Sequence, residues 1–412
     1  MPEGIAEGIG ASVRRKEDKK YTTGKGRYTD DIKRDGQLYA FFVRSNVAHA
    51  TIKKIDVSKA LTCDGVAAIY TGDDIAADGV GGPICGWTPT NRDGSAPKEP
   101  PHPLLAHSKV RYVGDHIAVV IAESLEQARS AAEKITVDLD ALPPVVDLST
   151  AIGNTQIHDE MDDNVYFDWE LGDESATASA LESAAKIVEL TVTNNRVIPN
   201  AMEPRAAVAE YDETNESYTL YTTSQNPHLT RLVMAAFMMQ IPESKLHVVA
   251  PDVGGGFGSK IYIYPEEAVC TWATKKLRRP IKWTADRSEA FLGDAHGRDH
   301  VNKVKIGLDQ DNKIVGLRVD TLANLGAYLS AFSMVTPTYL HGTLLSGCYN
   351  IPAIYTNVKG VCTTTVNVDA YRGAGRPEAT YLLERTMDYA ARQVGMDPAE
   401  FRRINFIPKD AF

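Results

Sequence analysis

Two glycine-rich stretches, each followed by a helical pattern with proline near its start, constrain this chain more than any other feature. The first is "APDVGGGFGSK", Ala250 to Lys260, with "YPEEAVCTWATKKL" behind it and Pro265 near the first turn. The second is "AYRGAGR", with "PEATYLLERTMDYAARQVG" behind it and Pro377 at the helix start. Glycine admits backbone conformations closed to other residues and lets a ligand approach N–H groups. A helix start favours anions. One such loop is weak evidence for a ligand. Two in one domain point to a bound, anionic, extended cofactor. At the first stretch alone, a tight strand-to-helix turn that holds nothing stands beside that reading.

Spacing narrows the ligand. A Walker A loop needs G-x-x-x-x-G-K-[ST]. Here Ile261 follows Lys260, and Val253 occupies the earlier glycine position. A dinucleotide fingerprint needs G-x-G-x-x-G. Counting from Gly254 the third glycine falls on Ser259, and from Gly256 on Ile261. Neither nucleotide pattern fits.

The rest of the chain reads as two units. From about Tyr21 to Leu142, "GQLYAFFVRS" and "VAAIYTG" alternate as strands, and "HIAVVIAESLEQARSAAEKITVDLD" reads strand, helix, strand, with the helix starting near Ser124. Gly79–Pro103 reads as a long loop. Residues 1–20 form an N-terminal extension, 21–142 a small domain of strands and helices, 143–165 a polar linker, and 166–412 a second domain. In the second domain "SATASALESAAKIVELTVTNNRV" is a helix then a strand, and "AAVAEYDETNESYTLYTTS" a hairpin. "HLTRLVMAAFMMQIP" is a helix with an apolar face, and "KLHVVAPDV" a strand feeding the triple glycine. "PIKWTA", "DHVNKVKIGLD" and "KIVGLRVDTLA" are further strands.

Composition excludes several classes. A length of 412 residues suits two or three domains. With 44 Lys plus Arg against 54 Asp plus Glu, the net charge is −10 and no basic tail exists. Nucleic acid and anionic membranes are therefore not expected partners. Cys63, Cys85, Cys270, Cys348 and Cys362 include no CxxC pair, which argues against an iron–sulfur cluster or zinc ribbon held here. An odd, scattered set suits a reducing compartment. No signal-like apolar core opens the chain and no membrane-length apolar run occurs in it, so a cytoplasmic location is expected.

"VGGGFGSK", "TTSQNPH", "NAMEPRAAVAEYD" and "AYRGAGRPEA" occur together in one order and spacing. On these motifs the chain resembles the molybdopterin-binding large subunit of the molybdenum hydroxylases: xanthine dehydrogenase, aldehyde oxidase and carbon monoxide dehydrogenase-like proteins. "GASVRRKEDKKYTTGKGRYTDDI" and "RYVGDHIAVVIAESLEQARSAAEKI" are similar to the last branch. The resemblance implies an α+β fold, a hammerhead-like α/β domain followed by the first half of the molybdopterin-binding region. It implies a molybdenum–molybdopterin cofactor, in bacteria often extended with cytosine dinucleotide, whose metal is held by the pterin and not directly by this chain.

Carried over by motif, Gly255, Gly256, Phe257 and Gly258 contact the pterin phosphate and the metal's apical side through backbone groups. Gln225 hydrogen-bonds the apical ligand; a neutral amide orients such a ligand without adding charge. Arg372, with the backbone of Gly373, Ala374 and Gly375, lines the metal site beside the substrate, its planar donors suited to an anionic centre. Among neighbouring residues, His228 reads as a helix-start residue, Glu203 as a structural acid paired with Arg205, and Cys270 as core.

Departures from the pattern carry information. Carbon monoxide oxidisers have Cys-Ser-Phe where this chain has Gly373-Ala374-Gly375, and that cysteine ligates copper. Carbon monoxide oxidation is therefore disfavoured. Purine hydroxylases carry an acid where Ile261 stands. An aldehyde or nitrogen heterocycle, oxidised with oxygen derived from water, is the expected substrate. The resemblance places the general-base glutamate in a second molybdopterin-binding half or chain, without which turnover falls by orders of magnitude. It also implies a [2Fe–2S] subunit and an FAD subunit as electron-accepting partners, in a dimer of heteromers. A non-catalytic cofactor-binding or scaffold chain remains the alternative.

Overall fold

The computed structural model describes residues 8–411. Residues 1–7 of the N-terminal extension, and Phe412, lie outside that span.

Strands from both halves of the sequence build one seven-stranded mixed sheet. Its order is Leu246–Val249, Ser217–Thr222, Ala206–Asp212, Ile281–Thr284, Leu38–Arg44, His116–Ala122, Val66–Thr71. The seam is the parallel pairing of Leu38 with Ile281 and Tyr39 with Lys282. The sequence patterns explain the central members. Every residue of His116–Ala122 is buried, the pattern of a strand covered on both faces. The hairpin Ala206–Asp212/Ser217–Thr222 pairs in antiparallel register, as its alternation predicts. The helix Pro265–Leu277 covers the sheet, burying Val269, Cys270 and Ala273 against Ala207, Ala209 and Leu220.

A second sheet of five strands has the order Val165–Gly172, Ile354–Cys362, Ile314–Gly326, His300–Leu308, Lys186–Asn194. The long helix Arg376–Gln393 packs on it through Leu382, Leu383, Met387 and Ala390 against Val304, Ile306 and Leu317. One of these strands, Ile354–Cys362, carries no clear alternation. Ile354–Cys362 is almost wholly buried and pairs in parallel with Ile314–Gly326, so the period-two signal is lost. A small third sheet joins Lys109–Val110, Ala50–Asp56 and Thr136–Ala141.

The expected linker 143–165 has no regular structure before Val165, which opens a strand, yet Val145, Leu148, Ala151, Ile157 and Met161 are buried in one cluster with Tyr166, Phe167 and Trp169. It lies along the five-stranded sheet as packed coil. Each glycine-rich loop is rooted beside a different sheet: the first follows Leu246–Val249, the second precedes Arg376–Gln393.

Candidate functional site

The two loops touch. Arg372 N–H donates to Phe257 O at 2.9 Å, tying the second loop to the first. Gly258 has φ +105°, and a Cβ there would lie 2.3 Å from Ala370 O. Only glycine permits this approach. Gly255 (φ +96°) and Gly373 (φ +104°) are likewise left-handed, and so are two residues with side chains, Phe257 (φ +52°) and Ala374 (φ +39°). Backbone strain of this kind persists only where the surroundings over-determine it.

Gln225 comes from the turn before the helix Pro227–Val233. Its Oε1 accepts from Gly258 N–H at 2.9 Å, and its own N–H donates to Lys260 O at 2.8 Å. A Cβ at Gly256 would strike the Gln225 Oε1 at 2.3 Å, so Gly256 makes room for that amide. With Oε1 engaged, the exposed side chain has its Nε2 donors left to offer. Arg372 is also exposed, and its guanidinium lies 5.8 Å from the Phe257 ring, itself 41% exposed. Gln225, Phe257 and Arg372 thus stand on one open wall. Among the described residues, the amides of Gly255, Gly256, Phe257 and Gly373 have no hydrogen-bond partner.

Behind the wall lie residues whose roles the sequence did not reveal. Glu203 Oε2 accepts from Gly254 N–H at 2.6 Å and pairs with Lys260 Nζ at 3.1 Å. Lys260 Nζ also donates to Glu203 O at 2.7 Å. Burial pulls the Lys260 ammonium below its ordinary value, and Glu203 counters this. The expected Glu203–Arg205 pair does not form. Arg205, 1% exposed, instead makes a two-pronged bond to Glu266 (2.9 Å each) and one to Asp294 at 2.6 Å. Its neighbour in sequence points away, and the partners come from 61 and 89 positions downstream.

Arg298 supports the second loop. Its Nη1 donates to Tyr371 O and Nη2 to Arg372 O, at 3.0 and 2.9 Å, and Nη1 pairs with Glu378 Oε1 at 3.0 Å. Asp369, just ahead of the loop, is buried; burial raises it to about 6 although it accepts from the N–H groups of Phe332 and Ala370. The Tyr262 hydroxyl donates to Ala370 O. Cys270 is fully buried, as expected of a core residue, and His228 lies in the first turn of its helix, exposed.

The helix starts do not serve as the anion site. The first turn of Pro265–Leu277 is buried, and its Glu267 carboxylate caps the Tyr264 N–H at 3.1 Å. Glu378 fills the first turn of the second helix. The unpartnered amides belong to the loops rather than to the helix ends; Phe257 and Gly373 are exposed, Gly255 is half-buried and Gly256 buried. Among the described residues no three His, Cys, Asp or Glu side chains converge as a metal-ligand set.

A glycine cradle with unpartnered amides, one neutral amide side chain and one guanidinium suits an anionic group presented edge-on to backbone. It fits a phosphate-bearing pterin that brings its own metal. The pattern describing the molybdopterin cofactor-binding domain matches residues 157–406, and that of the aldehyde oxidase and xanthine dehydrogenase a/b hammerhead domain matches residues 23–143. The chain belongs to this aldehyde oxidase and xanthine dehydrogenase family of molybdopterin-binding proteins, and the family is one of molybdenum oxidoreductases.

It is 37% identical to the carbon monoxide dehydrogenase large chain of Hydrogenophaga pseudoflava, over 96% of this chain and 50% of that protein. To the nicotinate dehydrogenase large molybdopterin subunit of Eubacterium barkeri it is 30% identical, over 93% of this chain and 85% of that subunit. The crystal structure of quinoline 2-oxidoreductase from Pseudomonas putida 86 superposes with a TM-score of 0.90 at 33% identity, over 99% of this chain and 51% of that one. The chain thus spans about half the length of two of these three relatives.

Proposed function

We propose that this chain supplies one wall of a molybdopterin site in a hydroxylase that oxidises a nitrogen heterocycle or an aldehyde. The observation that carries the reading is the pair of glycine turns locked together by the Arg372–Phe257 bond, with free amides beside Gln225 and Arg372. Gly255, Gly256 and Phe257 would hold the pterin's phosphate side by backbone N–H groups, while Gly258, its own N–H bonded to Gln225, keeps the turn close to the second loop. The bound group supplies the redox chemistry, taking two electrons from the substrate carbon while water provides the oxygen.

What this chain's residues do can be derived without that group's geometry. The Gln225 Nε2 donors orient an oxygen ligand at no cost in charge. Arg372, whose guanidinium lies 5.8 Å from the Phe257 ring, would stabilise negative charge that develops beside it. A carboxylate to take up the proton would come from a second molybdopterin-binding half or chain. Iron–sulfur and flavin subunits receive the electrons, and the cofactor is molybdopterin, in plain or cytosine dinucleotide form. The five cysteines are free, in keeping with a cytoplasmic setting.

Substrate class follows from the second loop. A side chain at 373 would sit at φ +104° with Cβ 2.6 Å from Pro377 Cγ, so the loop has no room for a metal-binding thiolate there. That disfavours carbon monoxide as substrate. Nitrogen heterocycles are favoured by the names of two relatives, which act on quinoline and nicotinate.

The test is oxidation of quinoline, nicotinate and benzaldehyde by the complex purified through this chain, with an artificial electron acceptor, in heavy-oxygen water. The expected result is label in the hydroxylated product. Turnover with carbon monoxide and none with any of the three organic compounds would overturn the reading.

A further inference from the structure

Two successive carbonyls of the second loop, those of Tyr371 and Arg372, are held by a side chain, Arg298, that no motif marks. Arg298 and Asp299 are consecutive non-glycine residues in the left-handed region, at φ +69° and +68°. Such residues are strained and need their surroundings to impose the conformation. Those surroundings are on hand. Gly297 exchanges backbone bonds with Val197 at 2.9 and 3.1 Å. Asp299 Oδ2 accepts from Arg196 Nε at 2.7 Å and from Asn324 Nδ2 at 3.0 Å, and Asp299 O accepts from Asn324 N–H at 3.0 Å.

The strained pair aims Arg298 under the loop. Its guanidinium is almost wholly buried and lies 4.7 Å from the Tyr371 ring. One edge takes Glu378 Oε1; two donors take the carbonyls of Tyr371 and Arg372. Fixing two successive carbonyls fixes the peptide planes at 371–372 and 372–373. Those planes set the direction of the free Gly373 amide and the root of the Arg372 side chain. Charge-assisted donors in a fork suit this task, and an ammonium could not hold both carbonyls and the carboxylate in one plane.

We propose that Arg298, held by Glu378, is a positioning residue that presets the second loop for its ligand. It touches neither substrate nor cofactor. The proposal rests on reading the loops as a cofactor wall, but its first test needs no cofactor.

Hydrogen exchange is measured on the full chain with Arg298→Lys and Arg298→Ala. The amides to follow are Arg372 and Ala374, which donate to Phe257 O and Tyr371 O. Expected is a loss of protection of roughly tenfold or more at these two amides in both variants, the size of one net hydrogen bond to a charged group. The amides of His300–Leu308 should keep theirs. Millimolar guanidinium should restore the loop in Arg298→Ala. In the assembled complex, Arg298→Lys should lose molybdenum faster on dialysis than the parent.

Loop protection in Arg298→Lys equal to the parent's would overturn the proposal. So would loss at the loop and at His300–Leu308 together in both variants, which is the mark of a merely structural residue. If the loop loosens as expected but the parent complex holds no molybdenum, the clamp stands and the cofactor reading falls.

Discussion

At the scale of single residues, Gln225 has two jobs that one substitution separates. Its Oε1 braces the first loop through Gly258, and its Nε2 faces outward. Gln225→Glu keeps the acceptor and replaces the donors with a negative charge. The melting transition should stay within about 1 kcal/mol of the parent, because the brace survives. Turnover of the assembled complex should fall by about tenfold or more, because an anion would sit where an oriented donor is needed. Urea melts and steady-state rates check the two halves. The residues of this wall were legible because glycine and amide motifs carry their own spacing. Glu203, Lys260 and Arg298 were not, because their partners lie 51 to 80 positions away and no local pattern encodes them. Glu203 was read toward its sequence neighbour Arg205, whereas topology turns it to Lys260.

At the scale of elements, the helix Pro265–Leu277 is pinned at its first turn as well as along its apolar face. Glu266 accepts from Arg205 twice, from Arg44 at 2.7 Å, and lies 3.0 Å from His116. These cations hold its carboxylate well below the usual range despite burial. Glu266→Ala takes the shared carboxylate from two buried guanidinium groups, leaving Arg205 only Asp294 and Arg44 only Glu289, and should cost about 3 kcal/mol in urea unfolding.

The loop Gly79–Pro103, read correctly as irregular, is pinned as well: His102 stacks on Tyr328 with centroids 4.2 Å apart. Burial lowers His102 from the ordinary 6.5 to about 3. A lowered folded value means its share of stability is present above 6.5 and is lost as pH falls toward 3. His102→Phe cannot titrate. Relative to the parent it should gain about 2 kcal/mol between pH 7.5 and pH 5, seen as converging or crossing denaturation midpoints. Helices with proline starts and the alternating hairpin were readable from sequence; Ile354–Cys362 was not, since burial on both faces removes alternation.

At the scale of the molecule, the seven-stranded sheet crosses the boundary that composition suggests. Leu38–Arg44 pairs with Ile281–Thr284, and Arg44 and His116 reach Glu266 across the same seam. Residues 21–142 expressed alone should therefore lack cooperative thermal unfolding, with a buried strand edge exposed and Arg44 unpaired. Calorimetry of that fragment against the full chain checks this. Sequence separation showed two units; pairing between strands more than two hundred residues apart joins them, and no single-chain pattern displays such a register. None of the described helices is long and apolar enough to cross a membrane.

The central claim is that the locked glycine loops form a molybdopterin wall. Its most direct measurement is the molybdenum and pterin content of the complex purified through this chain, parent against Gly258→Ala. A methyl at 258 would collide with Ala370 O and part the two loops. The account predicts both molybdenum and pterin in the parent and loss of both in Gly258→Ala, with iron and flavin retained. A parent complex without molybdenum, or a Gly258→Ala complex loaded as fully as the parent, would contradict it.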